Sequence, residues 1–151
     1  MDTPSTAGQI VVGVDGSDSS IEALRLAAGL ASALGAGIHA VACWHFPYLY
    51  AGLVEASDLK PYEEEAAKGL EESLQKAFDG DRPAGLQTSV LNGPAASTLM
   101  SVAEDAKMLV LGRRGHGGFS GLQLGSVSNA CAAHALCPVL VVHGDDKRHR
   151  R

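Results

Sequence analysis

Short apolar runs alternate with longer segments that carry helix signals along most of the chain. The apolar runs are residues 10–14, 38–44, 86–91, 108–111 and 139–142. Each has the length of a buried strand. The predicted helices are residues 20–34, residues 61–78, a segment that follows the turn at residues 92–94 and ends at Ala106, and residues 126–136. This alternation predicts one α/β domain, a Rossmann-like three-layer sandwich with a five-stranded, mostly parallel sheet.

Two helix starts carry local signals. Ser19 and Glu22 have the spacing of a capping box ahead of the first helix. Pro61 suits the first position of the second helix, where its missing N–H is tolerated. Residues 47–60, just before it, form the least regular part of the chain. The pattern leaves open whether they shape a pocket rim or a partner surface.

Composition places the chain among ordinary globular domains. It has 151 residues, of which 46% are hydrophobic and 19% charged, with a formal net charge of −5. We expect a flexible leader over residues 1–8, a single domain over residues 9–143 and a charged tail over residues 144–151. The acidic balance and the lack of a basic stripe argue against nucleic acid as a partner.

The sequence lacks the signals of a membrane span, a disulfide framework and a metal site. No apolar stretch approaches the roughly 18 residues of a membrane span, so no membrane partner is expected. The three cysteines form no CxxC pair, which favours free thiols and a cytoplasmic location. The six histidines have no close metal-ligand spacing, and we therefore predict no metal site.

The segment GRRGHGGFSGLQLGS, residues 112–126, contains six glycines and follows the fourth predicted strand. Such a cluster usually reflects positive φ angles or a close approach to the main chain. Asp15, Gly16 and Ser17 occupy the equivalent place after the first strand. Ligands of open α/β sheets bind at these strand ends, and a helix start favours an anion. The two segments together predict a phosphate-binding crevice.

The familiar phosphate loops do not fit this segment. No glycine is followed by lysine, which excludes a P-loop, and GVDGSD lacks the GxGxxG spacing of a dinucleotide fold. The sequence GSVSN, which begins at Gly125, lacks the second glycine of a nucleophile elbow. What remains is the spacing Gly112-x2-Gly115-x9-Gly125-Ser126.

That spacing resembles the ATP-binding signature of the universal stress protein family, G-x2-G-x9-G-[ST]. The stretches IVVGVDGSDSS, HAVACWHFP and LGSVSNACAAHALCPVLVV resemble the family in the same order. The resemblance implies an adenine nucleotide α-hydrolase-like sandwich that binds ATP, with Mg²⁺ as a candidate companion ion. It also implies a homodimer formed through the last strand, Val139 to Val142.

The resemblance assigns roles to individual residues. It places glycine main chain against the ribose and phosphates, the Ser126 hydroxyl on the β- and γ-phosphates, Asp15 on the ribose and the Val41 backbone on the adenine edge. The expected contact residues are Gly13, Val14, Asp15, Val41, Gly112, Arg113, Arg114, Gly115, His116, Gly117, Gly118, Gly125, Ser126, Val127 and Ser128.

Several alternatives stay open at this stage. Asp15 could instead cap the first helix, and Ser126 could cap the last one. Arg113 and Arg114 stand where the family often has a small hydroxyl residue, and they could bind phosphate or point to solvent.

The resemblance predicts a cytoplasmic ATP-binding protein that couples nucleotide occupancy to stress response or signalling through an unidentified protein partner. Asp15 is the one carboxylate expected near the phosphates, and no lysine is available in either loop. No catalytic residue is therefore assigned, and we expect at most a slow ATPase. The alternatives are a nucleotide-dependent enzyme of the ATPase or adenylyl-transfer type and an interaction module without a ligand.

Overall fold

The computed structural model describes residues 8–46, 56–113 and 124–144. Its strands are β1 (Gln9–Gly13), β2 (Gly37–Trp44), β3 (Gln87–Asn92), β4 (Met108–Gly112) and β5 (Val139–Val142). Its helices are α1 (Asp18–Leu34), α2 (Ala56–Phe78), α3 (Ala95–Val102) and α4 (Ser126–His134). Strands and helices alternate along the chain, which confirms the predicted α/β class.

The five strands form one sheet in the order β3-β2-β1-β4-β5, and every pair of neighbours is parallel. The order reverses between β1 and β4, because the chain builds outward from β1 on one side and from β4 on the other. The carboxyl ends of these two central strands therefore border a crevice at the topological switch point.

The sheet has a separate apolar core on each face. Even-numbered residues of β1 and β2, such as Ile10 and Ala40, pack with α1 and α2. Odd-numbered residues, such as Val11 and Val41, pack with Leu99 of α3 and with α4. Successive side chains of a strand point to opposite faces, which explains why the central strands are apolar at nearly every position.

The predicted starts of α1 and α2 are wrong. Ser17, not Ser19, is the N-cap of α1, and its hydroxyl accepts a hydrogen bond from the Ser20 N–H. Helix α2 begins at Ala56, which places Pro61 inside the helix instead of at its first position. Pro61 is the sixth residue of this 23-residue helix, where it removes one backbone hydrogen bond and crowds the carbonyl four residues earlier.

The remaining helices are shorter than the sequence pattern predicts. Helix α3 ends at Val102 instead of Ala106, and α4 ends at His134 instead of Leu136.

None of the described helices combines the length and apolar character that crossing a membrane requires.

Candidate functional site

At the carboxyl end of β1, Asp15 is exposed and bound to the residue that caps α1. Its Oδ1 atom accepts hydrogen bonds from the Ser17 N–H at 2.9 Å and from the Ser17 hydroxyl at 2.6 Å. Asp15 is therefore not the helix cap itself, and that alternative is wrong. The two bonds fix the carboxylate at the rim of the crevice through one of its two oxygens.

At the carboxyl end of β4, two hydrogen bonds hold the start of α4 against the strand. The Gly125 N–H donates to the Arg113 carbonyl at 2.9 Å, and the Ser128 hydroxyl donates to the Gly112 carbonyl at 2.6 Å. The two ends of the glycine-rich segment therefore meet. Arg114, Gly115, His116, Gly117 and Gly118, which the sequence also predicts as contacts, lie outside the described residues.

The N-terminus of α4 is capped by Gly125, which provides no side-chain hydrogen bond. Ser126 is consequently not the cap, and that alternative is wrong. The first backbone hydrogen bond of the helix runs from the Asn129 N–H to the Gly125 carbonyl at 2.9 Å. The N–H groups of Ser126, Val127 and Ser128 precede that bond, as the first donors of any helix do. This geometry suits an anion.

Two glycines of the predicted site are required by packing within the protein. A Cβ on Gly13 would lie 2.7 Å from Leu111 Cδ2 and 2.8 Å from Leu99 Cδ1. A Cβ on Gly112 would lie 2.8 Å from the Ser20 nitrogen. Gly112 therefore needs glycine whether or not a ligand binds, because its contact is with backbone, whereas a side chain at residue 13 would require Leu99 and Leu111 to shift.

Val14 and Val41 are buried beside the crevice, not exposed to it. Val41 is only 1% exposed, and its carbonyl accepts a hydrogen bond from the Val14 N–H at 2.8 Å. Strand β2 continues past this point to Trp44, whereas β1 ends at Gly13, opposite Val41.

Cys43 lies where β2 extends beyond β1, and the sequence reasoning missed it. The Trp44 carbonyl accepts from Gly93 on the β3 side. Backbone groups alternate in direction along a strand, so those of Cys43 point to the β1 side, as those of Val41 do. Cys43 is only partly buried. The register of the two strands, which no local pattern reveals, brings this residue to the crevice.

A second residue that the sequence reasoning missed is His143, which follows β5. Its Nδ1 atom lies 3.4 Å from Arg113 Nη1. The Arg113 N–H also donates to the Val142 carbonyl at 2.6 Å, which continues the β4–β5 ladder by one residue. A guanidinium and an imidazole therefore meet beside the start of α4.

The three cysteine thiols are protonated at neutral pH. Burial, assisted by the nearby Cys131, raises the pKa of Cys43 to about 11. Burial also raises the pKa of Cys131 and of Cys137. A neutral thiol is a weak nucleophile and a poor metal ligand. Within the described parts of the chain, no group of three or more histidine, cysteine or acidic side chains is arranged to hold a metal ion.

The doubly wound parallel sheet places this domain among the Rossmann-like α/β folds. A helix N-terminus that suits an anion lies at the switch point of the sheet. Its family follows from comparison: residues 7–143 match the model of the universal stress protein family, and the chain belongs to that family. A universal stress protein of Mycolicibacterium smegmatis is 36% identical over 148 residues, covering 91% of this chain and 49% of the relative. The chain thus spans about half the length of the curated relatives it matches.

Solved structures of the same family share the fold. One universal stress protein in complex with cAMP is 28% identical, covers 93% of this chain and all of its own, and has a TM-score of 0.68. Another, from Archaeoglobus fulgidus in complex with dAMP, is 23% identical, covers 91% of this chain and 98% of its own, and has a TM-score of 0.56. Some structural neighbours of this chain therefore bind adenine nucleotides.

Proposed function

We propose that this chain is a cytoplasmic ATP-binding domain that couples nucleotide occupancy to a stress response or signal, acting as a homodimer on a protein partner. The observation that carries the proposal is the start of α4. The glycine cap offers no side-chain acceptor to the first N–H groups of the helix, while hydrogen bonds to Gly112 and Arg113 fix the helix at the switch point. Backbone donors and the helix dipole would both stabilise the anion there.

The rest of the nucleotide fits the rim of the same crevice. The second oxygen of Asp15 is suited to accept a hydrogen bond from a ribose hydroxyl, because Ser17 fixes the first. The adenine-reading backbone is that of Cys43 and not of Val41, since Val41 is buried and its carbonyl already pairs with Val14. Mg²⁺ would accompany the phosphates as their counter-ion.

Binding without efficient turnover is the chemistry that these residues support. Phosphoryl transfer requires a base or residue that positions the attacking water, and usually a metal held by carboxylates. Asp15 is held by Ser17 and supplies one carboxylate. The cAMP complex of a 28% identical relative makes a cyclic mononucleotide the second candidate ligand. Both candidates share the adenosine subsite and differ in the phosphate chain.

The homodimer would form along β5. This strand pairs with β4 on one side, and all four of its residues are partly exposed in the single chain. Leu136, just before it, is 77% exposed. An exposed strand edge with an apolar neighbour is a suitable surface for a second copy. Sedimentation of the parent protein and of Leu136→Asp tests this: the parent should be dimeric and the variant should dissociate more readily.

Calorimetric titration of the nucleotide-free protein with ATP and with cAMP tests the binding proposal. Gly125→Glu should abolish binding of both ligands, because its carboxylate would occupy the anion position. Gly29→Glu is the matched control, since a Cβ on Gly29 in α1 meets nothing within 4 Å. Circular dichroism of both variants should show an unchanged fold.

Two results would contradict the proposal. The parent could bind neither nucleotide at millimolar concentration, in which case the chain is an interaction module or takes another ligand. Alternatively, Gly125→Glu could bind as tightly as Gly29→Glu, which would place the nucleotide away from α4.

A further inference from the structure

We propose that Arg113 and His143 form a cationic pair that binds the distal phosphates of an extended nucleotide and so selects ATP over AMP and cAMP. The inference rests on the proposed nucleotide site and adds to it a residue, His143, and a preference. It gives Arg113 a partner that lies thirty residues away in the chain.

The position of the pair follows from the alternation of side chains at the ends of β4 and β5. Gly112 faces α1, because its missing Cβ would meet Ser19 and Ser20. Gly144 faces α1 as well, since a Cβ there would lie 3.3 Å from the Ser19 nitrogen. Arg113 and His143 are each one residue away from these glycines and therefore point to the opposite face of the sheet.

That opposite face is where α4 begins. The Arg113 carbonyl accepts from the Gly125 N–H at 2.9 Å, so the arginine lies directly beside the glycine that caps the helix. The N–H groups of Ser126 and Val127 follow in the chain. The basic pair and the helix N-terminus thus present positive charge to the same region, from two strands and one helix.

The chemistry of the pair favours a multiply charged anion. Arg113 Nη1 and His143 Nδ1 are 3.4 Å apart. In a neutral imidazole, Nδ1 can accept a hydrogen bond from the guanidinium at this distance. A protonated imidazole would repel the guanidinium unless an anion lay between them. A distal phosphate carries two negative charges when ionised and can accept from both side chains at once. AMP and cAMP lack the β- and γ-phosphates that would reach the pair.

The other charged groups around His143 are few among the described residues. Arg113 faces it from β4, and the first turn of α4 contributes no acidic side chain. On the α1 side, Asp18 lies in the first turn and Asp15 precedes it, with the Asp15 carboxylate bound to Ser17.

The test compares ATP, AMP and cAMP affinities of the parent, Arg113→Gln and His143→Gln by calorimetry. Each variant should lose about five- to tenfold in ATP affinity and less than about twofold for AMP and cAMP, as expected for loss of one charge-assisted hydrogen bond. His134→Gln is the control, because this histidine is exposed in the last turn of α4. It should bind all three ligands as the parent does.

Failure of this inference differs from failure of the proposed function. If the parent and both variants bind ATP equally, or if the parent binds cAMP more tightly than ATP, the cationic pair is not a selector although the nucleotide site stands. If the parent binds none of the three nucleotides, the proposed function fails, and this inference fails with it.

Discussion

Gly112 of β4 packs directly against Ser19 in the first turn of α1. A Cβ at residue 112 would stand 2.8 Å from the Ser19 carbonyl carbon and would overlap its hydroxyl oxygen. The carbonyl carbon belongs to the backbone, so a change of rotamer cannot relieve the contact. The end of β4 and the start of α1, which both border the crevice, are therefore held together by the absence of a side chain.

Gly112→Ala should destabilise the protein by about 1–3 kcal/mol, because the added methyl group forces α1 away from the sheet. Gly29→Ala is the opposite case: Gly29 lies in the interior of α1 with open space around it, and alanine there should stabilise the helix by about 0.5–1 kcal/mol. Urea unfolding of both variants measures the difference. Equal stabilities would show that β4 and α1 do not pack as described.

Ser17→Ala should lower the free energy of unfolding by about 1 kcal/mol, because α1 would lose its capping oxygen. The same change removes one of the two bonds that orient Asp15. Ser32→Ala, at an exposed position within the same helix, should be neutral or slightly stabilising. Thermal unfolding followed by circular dichroism measures the stability of both variants. If Ser32→Ala is destabilised as much as Ser17→Ala, the loss at residue 17 is not due to the helix cap.

His39 should make stability depend on pH. It is 5% exposed, its Nε2 atom lies 2.7 Å from the Ser89 hydroxyl, and its Nδ1 atom has no hydrogen-bond partner among the described residues. Burial lowers the pKa of His39 in the folded protein. The unfolded chain then binds the proton more tightly, so stability is complete above the ordinary histidine pKa of about 6.5 and falls as the pH drops below it.

Urea unfolding at several pH values between about 7.5 and 5.5 measures this effect, which amounts to at most about 1.4 kcal/mol per pH unit. His39→Gln should flatten the dependence, because glutamine does not titrate. His45→Gln, at an exposed position after β2, should leave the slope of the parent unchanged. A parental slope in His39→Gln would contradict the assignment.

Cys43 should react slowly with iodoacetamide near neutral pH, because burial and Cys131 raise the pKa of its thiol to about 11. Only the thiolate attacks, so the rate should rise roughly tenfold per pH unit toward that pKa. Peptide mass mapping follows the modification, and the chain unfolded in urea is the control with an ordinary thiol. Rapid labelling of native Cys43 near pH 7 would show that the pKa of its thiol is not raised.

The sequence pattern predicted the number, type and order of the described elements because buried parallel strands and amphipathic helices have distinct apolar periods. It predicted β5 to the residue, and the spacing of Gly112, Gly125 and Ser126 led to the family. It misplaced the starts of α1 and α2, whereas α3 and α4 begin where the pattern predicts. Ser17 and Ser19 are equally good caps by residue type, and only the fold shows which one the chain uses.

The sequence by itself determined the fold class and family of this protein, since both depend on local periodicity and on residue spacing within continuous segments. Tertiary structure alone decided what meets at the crevice. The register of β1 against β2 buries Val41 and brings Cys43 to the rim, and the pairing of β4 with β5 places His143 against Arg113. These contacts join residues about thirty positions apart through strand pairing, and no local pattern encodes such a distance.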